Sequence, residues 1–397
     1  MEKKSTNQAA VYSLLFAVQC LGVLVAALAY GQGLSEVIRA SVSAGIGAGI
    51  LLFLWEDHAL RGDLPCDNGS HPRRFFCAYL ASFAMTMFMP LIVADSWPFV
   101  SVYVLLSLLS CPLIGVYAGT ELLMLTILVQ GGGLPEFFMY VFAGFIAVGL
   151  FRRLDEQMHG GMALFISLLT QTVLLVCYHV MFLNEPLSVS VLIVPIINAF
   201  INFALLIMIL NAFSFYVIRR DAERYAEIND PAYALMLRIR ETSETEYQRA
   251  IHTDYLTQRV AAAIGLDQRI VRCCSYYHRA AIVLNDRDLE NNLTLYRTYH
   301  FPEEAIRALT ELITHKKGEP LSAEATVITL CETMIASLQF MFQKNSQIKV
   351  DYALLVDKIF EKKESEGEFL NSALSVRGLR VTRELLKKET LYYDFLR

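Results

Sequence analysis

Phe213-Ser214-Phe215-Tyr216-Val217-Ile218-Arg219-Arg220-Asp221-Ala222-Glu223-Arg224 is where the chain changes solvent. Before it, from the N-terminus to about residue 217, the sequence is a series of long apolar runs. From Arg219 onward it is polar, charged and periodic in the way of amphipathic helices. Overall 55% of the residues are apolar and only 18% charged, with a mean hydropathy of +0.42. An ordinary soluble domain carries about a quarter charged residues. The chain therefore reads as all-α: a polytopic membrane domain over 1–217, a juxtamembrane helical linker over 218–245, and a soluble helical domain over 246–397 that is large enough to bury its own core.

A membrane-crossing helix needs roughly 17–25 apolar residues. The runs 9–30, 34–55, 75–94, 134–151, 161–182 and 187–217 meet that length. The first follows a polar start without a small-residue cleavage site, so it reads as a retained span and not a removed signal peptide. The run from Trp97 to Gln130 is too long for one span, and Gly115 and Gly119 suggest two, 97–114 and 116–131. Charge decides. Lys3, Lys4, Arg61, Arg73, Arg74, Arg152, Arg153, Arg219 and Arg220 flank one set of ends, and Glu36, Asp95, Glu136 and Glu185 mark the other. The positive-inside rule puts the basic set in the cytoplasm. Both basic loops share a side only if 97–131 is split, which predicts eight spans with both termini cytoplasmic.

Intramembrane polar residues are few. Glu121 falls about one turn inside the fifth expected span, near a cytoplasmic end, without a basic partner. Glu36 and Arg39 are one helical turn apart and are expected to pair. No symmetry of broken helices marks a transporter. Gly131-Gly132-Gly133 reads as a turn.

The soluble part predicts helices over 232–240, 246–264, 268–281, 302–315, 323–342, 350–361 and 376–393. Asp230 and Pro231 suit a helix start, and 285–292 reads as a loop. The net charge of −5 gives no basic footprint for nucleic acid. Cys20, Cys66, Cys77, Cys111, Cys177, Cys273, Cys274 and Cys331 form no CxxC and no ligand-type spacing, which argues against a zinc site or a disulfide framework.

Several segments resemble the membrane-anchored HD-domain phosphohydrolases with a seven-transmembrane module, a family that includes bacterial cyclic-di-AMP phosphodiesterases. They are Ile228-Asn229-Asp230-Pro231; Glu246-Tyr247-Gln248-Arg249-Ala250 running to Ala263-Ile264-Gly265; the spacing from Gly265 to His278; Glu324 to Glu332; and the tail from Val356 to Arg397. In the membrane half, Phe137 to Arg153 is similar too. The family's extracellular domain after the first span is replaced by Gly31-Gln32-Gly33.

The resemblance implies a bimetal centre at positions that this chain has changed. In gapless register the first ligand His falls on Arg249; a shifted alignment would use His252. His278 is kept, and Arg279 stands where the family has its Asp. The segment bearing the middle His is missing. The later His-His-Gly region maps onto His315-Lys316-Lys317-Gly318, and the final Asp onto Glu332. A guanidinium cannot ligate a metal and its fixed charge repels one, so no metal cofactor is expected; manganese or iron would belong only to an active enzyme. The expected role is that of a catalytically inactive signalling or regulatory relative in the bacterial inner membrane. The rivals are an active, divergent cyclic-di-AMP phosphodiesterase and a transporter. Besides the lipid bilayer, the expected partners are a protein or a second copy, with a cyclic dinucleotide possible. For that ligand, Arg249, His278, Arg279, His315, Lys316 and Lys317 would form a phosphate-binding pocket, because guanidinium forks match phosphate oxygens. The plainer alternative is that the arginines face solvent or pair with Glu246, Asp267 or Glu332.

Overall fold

Ser110-Cys111-Pro112 interrupts the apolar run between Trp97 and Gln130. Pro112 occupies the first turn of a helix, where its missing N–H costs nothing. The computed structural model describes residues 2–61, 64–66, 68–152, 160–284, 289–315, 319–345 and 349–396. These residues are mainly helical, with no strand among them beyond one bridge between Leu321 and Ser372. They form two units, Met1–Arg219 and Arg220–Arg397.

The first unit contains α1 (Glu2–Ala29), α2 (Leu34–Arg61), α3 (Pro72–Phe88), α4 (Phe99–Leu108), α5 (Pro112–Gln130), α6 (Leu134–Phe151), α7 (Gly160–Phe182) and α8 (Val189–Phe213), followed by a π-helical turn at Ser214–Ile218. All but α4 are long and apolar enough to cross a membrane. Within the expected span 97–114, α4 has only ten residues, about 15 Å of helix against a hydrocarbon core of about 30 Å.

A short helix inside an apolar bundle leaves backbone groups without partners, each worth several kcal/mol in hydrocarbon. Side chains meet that need at both ends of α4. Asn202 of α8 accepts a hydrogen bond from Ser101 N at 3.1 Å and one from Ser101 Oγ at 2.7 Å. At the other end Asn68 Nδ2 donates to Leu108 O at 3.1 Å. Close packing comes from small residues, as in other membrane helix pairs. A Cβ on Gly115 would collide with the backbone of Ser107, and one on Gly119 or Gly144 with the Tyr103 ring. Gly131 ends α5 at φ 76°, a left-handed conformation suited to glycine.

These contacts also sort the helix ends. Tyr12 bonds Glu56, and Asn68 bonds the end of α4. α6 runs alongside α4, with Tyr140 stacked on Trp97 and Gly144 against Tyr103. Its end at Phe151 is thereby level with Leu108. The basic segment around Arg61–Arg74 and Arg152 accordingly lie at one end of the unit. At the opposite end Tyr30 donates to Met87 O, Gln32 to Val129 O, and Tyr178 to Glu136. There His179 sits between Asp95 and Glu185, each at 2.9 Å. Glu36 and Arg39 are 3.9 Å apart on exposed surface. Arg153 is outside the described residues.

The second unit contains α9 (Arg219–Ile228), α10 (Ala234–Thr242), α11 (Glu244–Ile264), α12 (Gln268–Tyr277), α13 (Leu289–Thr298), α14 (Glu303–Thr314), α15 (Ala323–Lys344), α16 (Tyr352–Ser365), α17 (Val376–Lys388) and α18 (Thr390–Phe395). Side-chain caps start many of them: Ser243, Asp267, Ser322, Asp351 and Ser375 each accept a hydrogen bond from a first-turn N–H. Gly265 closes α11 at φ 77°. α15 is apolar enough to cross a membrane by composition. Here its apolar residues are buried in the core of this unit, with Val327, Leu330, Met334 and Leu338 against Leu256, Val260 and Val356.

Three expectations change. Pro231 lies in a turn and the helix begins at Ala234, because Asp230 caps that turn by accepting from Ala232 N. The loop expected over 285–292 is in part helix α13, whose Asn292, Leu295 and Tyr296 share a buried face; residues 285–288 are outside the described set. The helix expected over 376–393 is broken at Glu389, whose carboxylate holds Arg259 at 2.7 Å.

Candidate functional site

α11, α12 and α15 pack together and bring the quoted motif residues to one place. Glu246 and Arg249 are one turn apart on α11. His278 caps the C-terminus of α12 and Arg279 follows it, while Glu332 and Gln339 are seven residues apart on α15. Register does the rest. Spacing from Gly265 fixes where His278 falls, and Tyr277, held by its hydroxyl to Ile228 O at 2.6 Å, anchors the end of α12 in the core.

The charges close into a chain. Arg249 NH1 is 3.2 Å from Glu246 Oε1 and its Nε donates to Gln339 Oε1 at 3.1 Å. Arg279 NH1 is 3.1 Å from Glu246 Oε2, and Arg279 Nε is 2.6 Å from Glu332 Oε1. The other oxygen of Glu332 lies 3.2 Å from His278 Nε2. That nitrogen lacks the alignment of a hydrogen bond. His278 Nδ1 lies 3.0 Å from Cys274 O and 3.2 Å from Ser275 O. Carbonyls only accept, so Nδ1 carries a proton and donates.

The electrostatics follow from this geometry. Burial alone would raise the Glu332 carboxyl, but the His278 imidazole 3.2 Å away and the Arg279 guanidinium outweigh it and hold the group down at about 2. Burial would lower Arg279, yet Glu332 and Glu246 together raise it. Two guanidiniums are thus matched by two carboxylates. The plainer pairing with Glu246 and Glu332 is what the structure contains.

His315 caps α14, and neither of its ring nitrogens has a hydrogen-bond partner among the described residues. Lys316 and Lys317 lie outside the described residues. His252, the alternative first ligand, bonds Tyr392 OH at 2.7 Å instead. Gln339 was not foreseen, since an amide ninety positions from Arg249 gives no sequence signal of contact.

The residues present do not fit a bimetal centre. Such a centre needs carboxylates and imidazoles with free lone pairs converging on the cations. Here Glu332 is engaged by Arg279, and Glu246 by Arg249 and Arg279. Among the described residues no three His, Cys, Asp or Glu side chains are grouped to hold a metal ion.

No protein-family description matches the chain, and no curated protein matches it. Two solved structures are similar to it, both of the HD domain of the L. monocytogenes phosphodiesterase PgpH. With the structure in complex with cyclic-di-AMP the identity is 14% and the TM-score 0.34, covering 41% of this chain and 98% of that one. With the other the identity is 14% and the TM-score 0.33, covering 41% and 99%.

Proposed function

We propose that this chain is a multi-pass membrane protein of the bacterial inner membrane whose soluble unit is a degenerate HD-type domain, used for signalling, regulation or assembly and not for phosphohydrolysis. The observation that carries this reading is the engagement of Glu332 by Arg279. The only carboxylate left from the implied ligand set is already neutralised by a guanidinium at the position of the family's Asp. Metal-bound water cannot be generated where the ligands are ion-paired to arginines.

Both termini are read as cytoplasmic, from the basic residues gathered at one end of the first unit. The partner is read as another protein or a second copy. A cyclic dinucleotide is disfavoured, because the arginines that would grip its phosphates are spent on Glu246 and Glu332.

The test is hydrolysis of cyclic-di-AMP by purified full-length protein with manganese. No turnover above buffer is the expected result. Manganese-dependent turnover that disappears in Glu332→Ala would overturn the reading and support the active, divergent phosphodiesterase.

A further inference from the structure

The expectation that Glu121 lies near a helix end is not met, and its actual place carries a separate inference. α5 begins at Pro112, so Glu121 is the tenth of its nineteen residues. It is 4% exposed and sits in the seam where α1, α2 and α3 meet α5. Gln19 of α1 donates to its Oε1. Gln19 is itself fixed, with Nε2 3.3 Å from Ala44 O and Oε1 accepting from Tyr79 OH at 3.0 Å. Gly47 of α2 gives the carboxyl its space, since a Cβ there would collide with it. Tyr117 one turn earlier donates to Gly47 O at 3.1 Å. Glu121 Oε2 is buried without a hydrogen-bond partner among the described residues.

Among the described residues no counter-charge accompanies this carboxyl. The titratable groups that interact with it are the phenols Tyr79 and Tyr117; the charged side chains of the same helices, Glu36, Arg39, Glu56, Asp57 and Arg61 on α2 and Arg73 and Arg74 on α3, fall in the first or last turns of those helices. No Lys, Arg or His is paired with it among the described residues. A bare carboxylate among apolar helices is costly, whereas a neutral carboxylic acid is tolerated. Every neighbour named here that interacts with it is uncharged, so nothing offsets ionisation.

We infer that Glu121 is a proton-binding site at the centre of the membrane unit, and that it holds a proton at neutral pH in this packing. Loss of the proton places an uncompensated charge between four helices. Release therefore requires the seam to open to water or a cation, which ties the packing of α1, α2 and α3 on α5 to proton activity. This inference is independent of the fate of the soluble unit.

The test is infrared spectroscopy of the full-length protein in a lipid nanodisc at neutral pH, with and without isotope-labelled glutamate side chains. A protonated-acid carbonyl band that shifts on labelling and vanishes in Glu121→Gln is expected. Absence of a label-sensitive acid band, or its persistence in Glu121→Gln, would overturn the inference. Should Glu121→Gln fail to fold, Glu121→Asp serves instead: the band moves if it belongs to this residue, and an unmoved band overturns the assignment.

Discussion

Arg279 Nε lies 2.6 Å from Glu332 Oε1 while its NH1 lies 3.1 Å from Glu246 Oε2, so one guanidinium ties α11 to α15. Arg279→Ala leaves two largely buried carboxylates facing each other across the gap. Removing one partner of such a network costs more than the net worth of the pair, because the other charge stays desolvated. Arg279 is about half exposed, which limits the effect. The expected loss is about 1–3 kcal/mol for the second unit, read by denaturation of the detergent-solubilised full chain. An unchanged midpoint would show that the arginine is ornamental.

The acid limb of stability should report the same residue. Glu332 is held at about 2 in the fold, below the ordinary unfolded value of about 4.3. Its folded value is depressed, so its contribution is fully present above the unfolded value and is lost as pH falls toward 2. Denaturation across that window should lose on the order of 2 kcal/mol more in the natural sequence than in Glu332→Gln. Parallel curves for the two proteins would contradict the pairing.

In the membrane unit, Asn202→Ala removes the acceptor for Ser101 N and Oγ at the start of α4. Interhelical hydrogen bonds between membrane helices contribute about 0.6–1.7 kcal/mol. A loss in or above that range is expected, because a backbone N–H is left without a partner at a buried helix end. Thermal unfolding in micelles measures it, and no shift would mean that α4 does not depend on this bond.

How much of this was legible beforehand depends on the kind of contact. The change of solvent at Arg219 was plain, since it is a change of composition over many residues. The division of 97–131 was legible from charge, but its position was not. Pro112 was the signal that marks the helix start, and passing over it moved Glu121 from the middle of a helix to its end. The shortness of α4 was hidden, because Asn68 and Asn202 satisfy its ends from distant positions and an apolar run does not announce where its helix stops. In the soluble unit, spacing from Gly265 placed His278, and helical register placed Glu246 beside Arg249. Whether the arginines faced solvent, a phosphate or a carboxylate was undecidable from sequence, since it turns on the side chains of α15. The mixed polar stretch beyond residue 288 looked like a loop because Asn292 is buried as part of a helix face.

Topology is open to a direct check. Cys66 lies at the end of the first unit that carries the basic segments, and it is only partly exposed. In intact cells an impermeant thiol reagent should leave Cys66 unlabelled until the membrane is permeabilised. Strong labelling from outside would reverse the orientation.

The central claim of the proposed function is that the ion pairs of Arg249 and Arg279 with Glu246 and Glu332 leave no metal centre there. Elemental analysis of full-length protein, purified after growth in medium supplemented with manganese and iron, tests it most directly. The account predicts far less than one equivalent of either metal per chain, unchanged in Glu332→Ala. Near-stoichiometric manganese or iron that is lost in Glu332→Ala would contradict it.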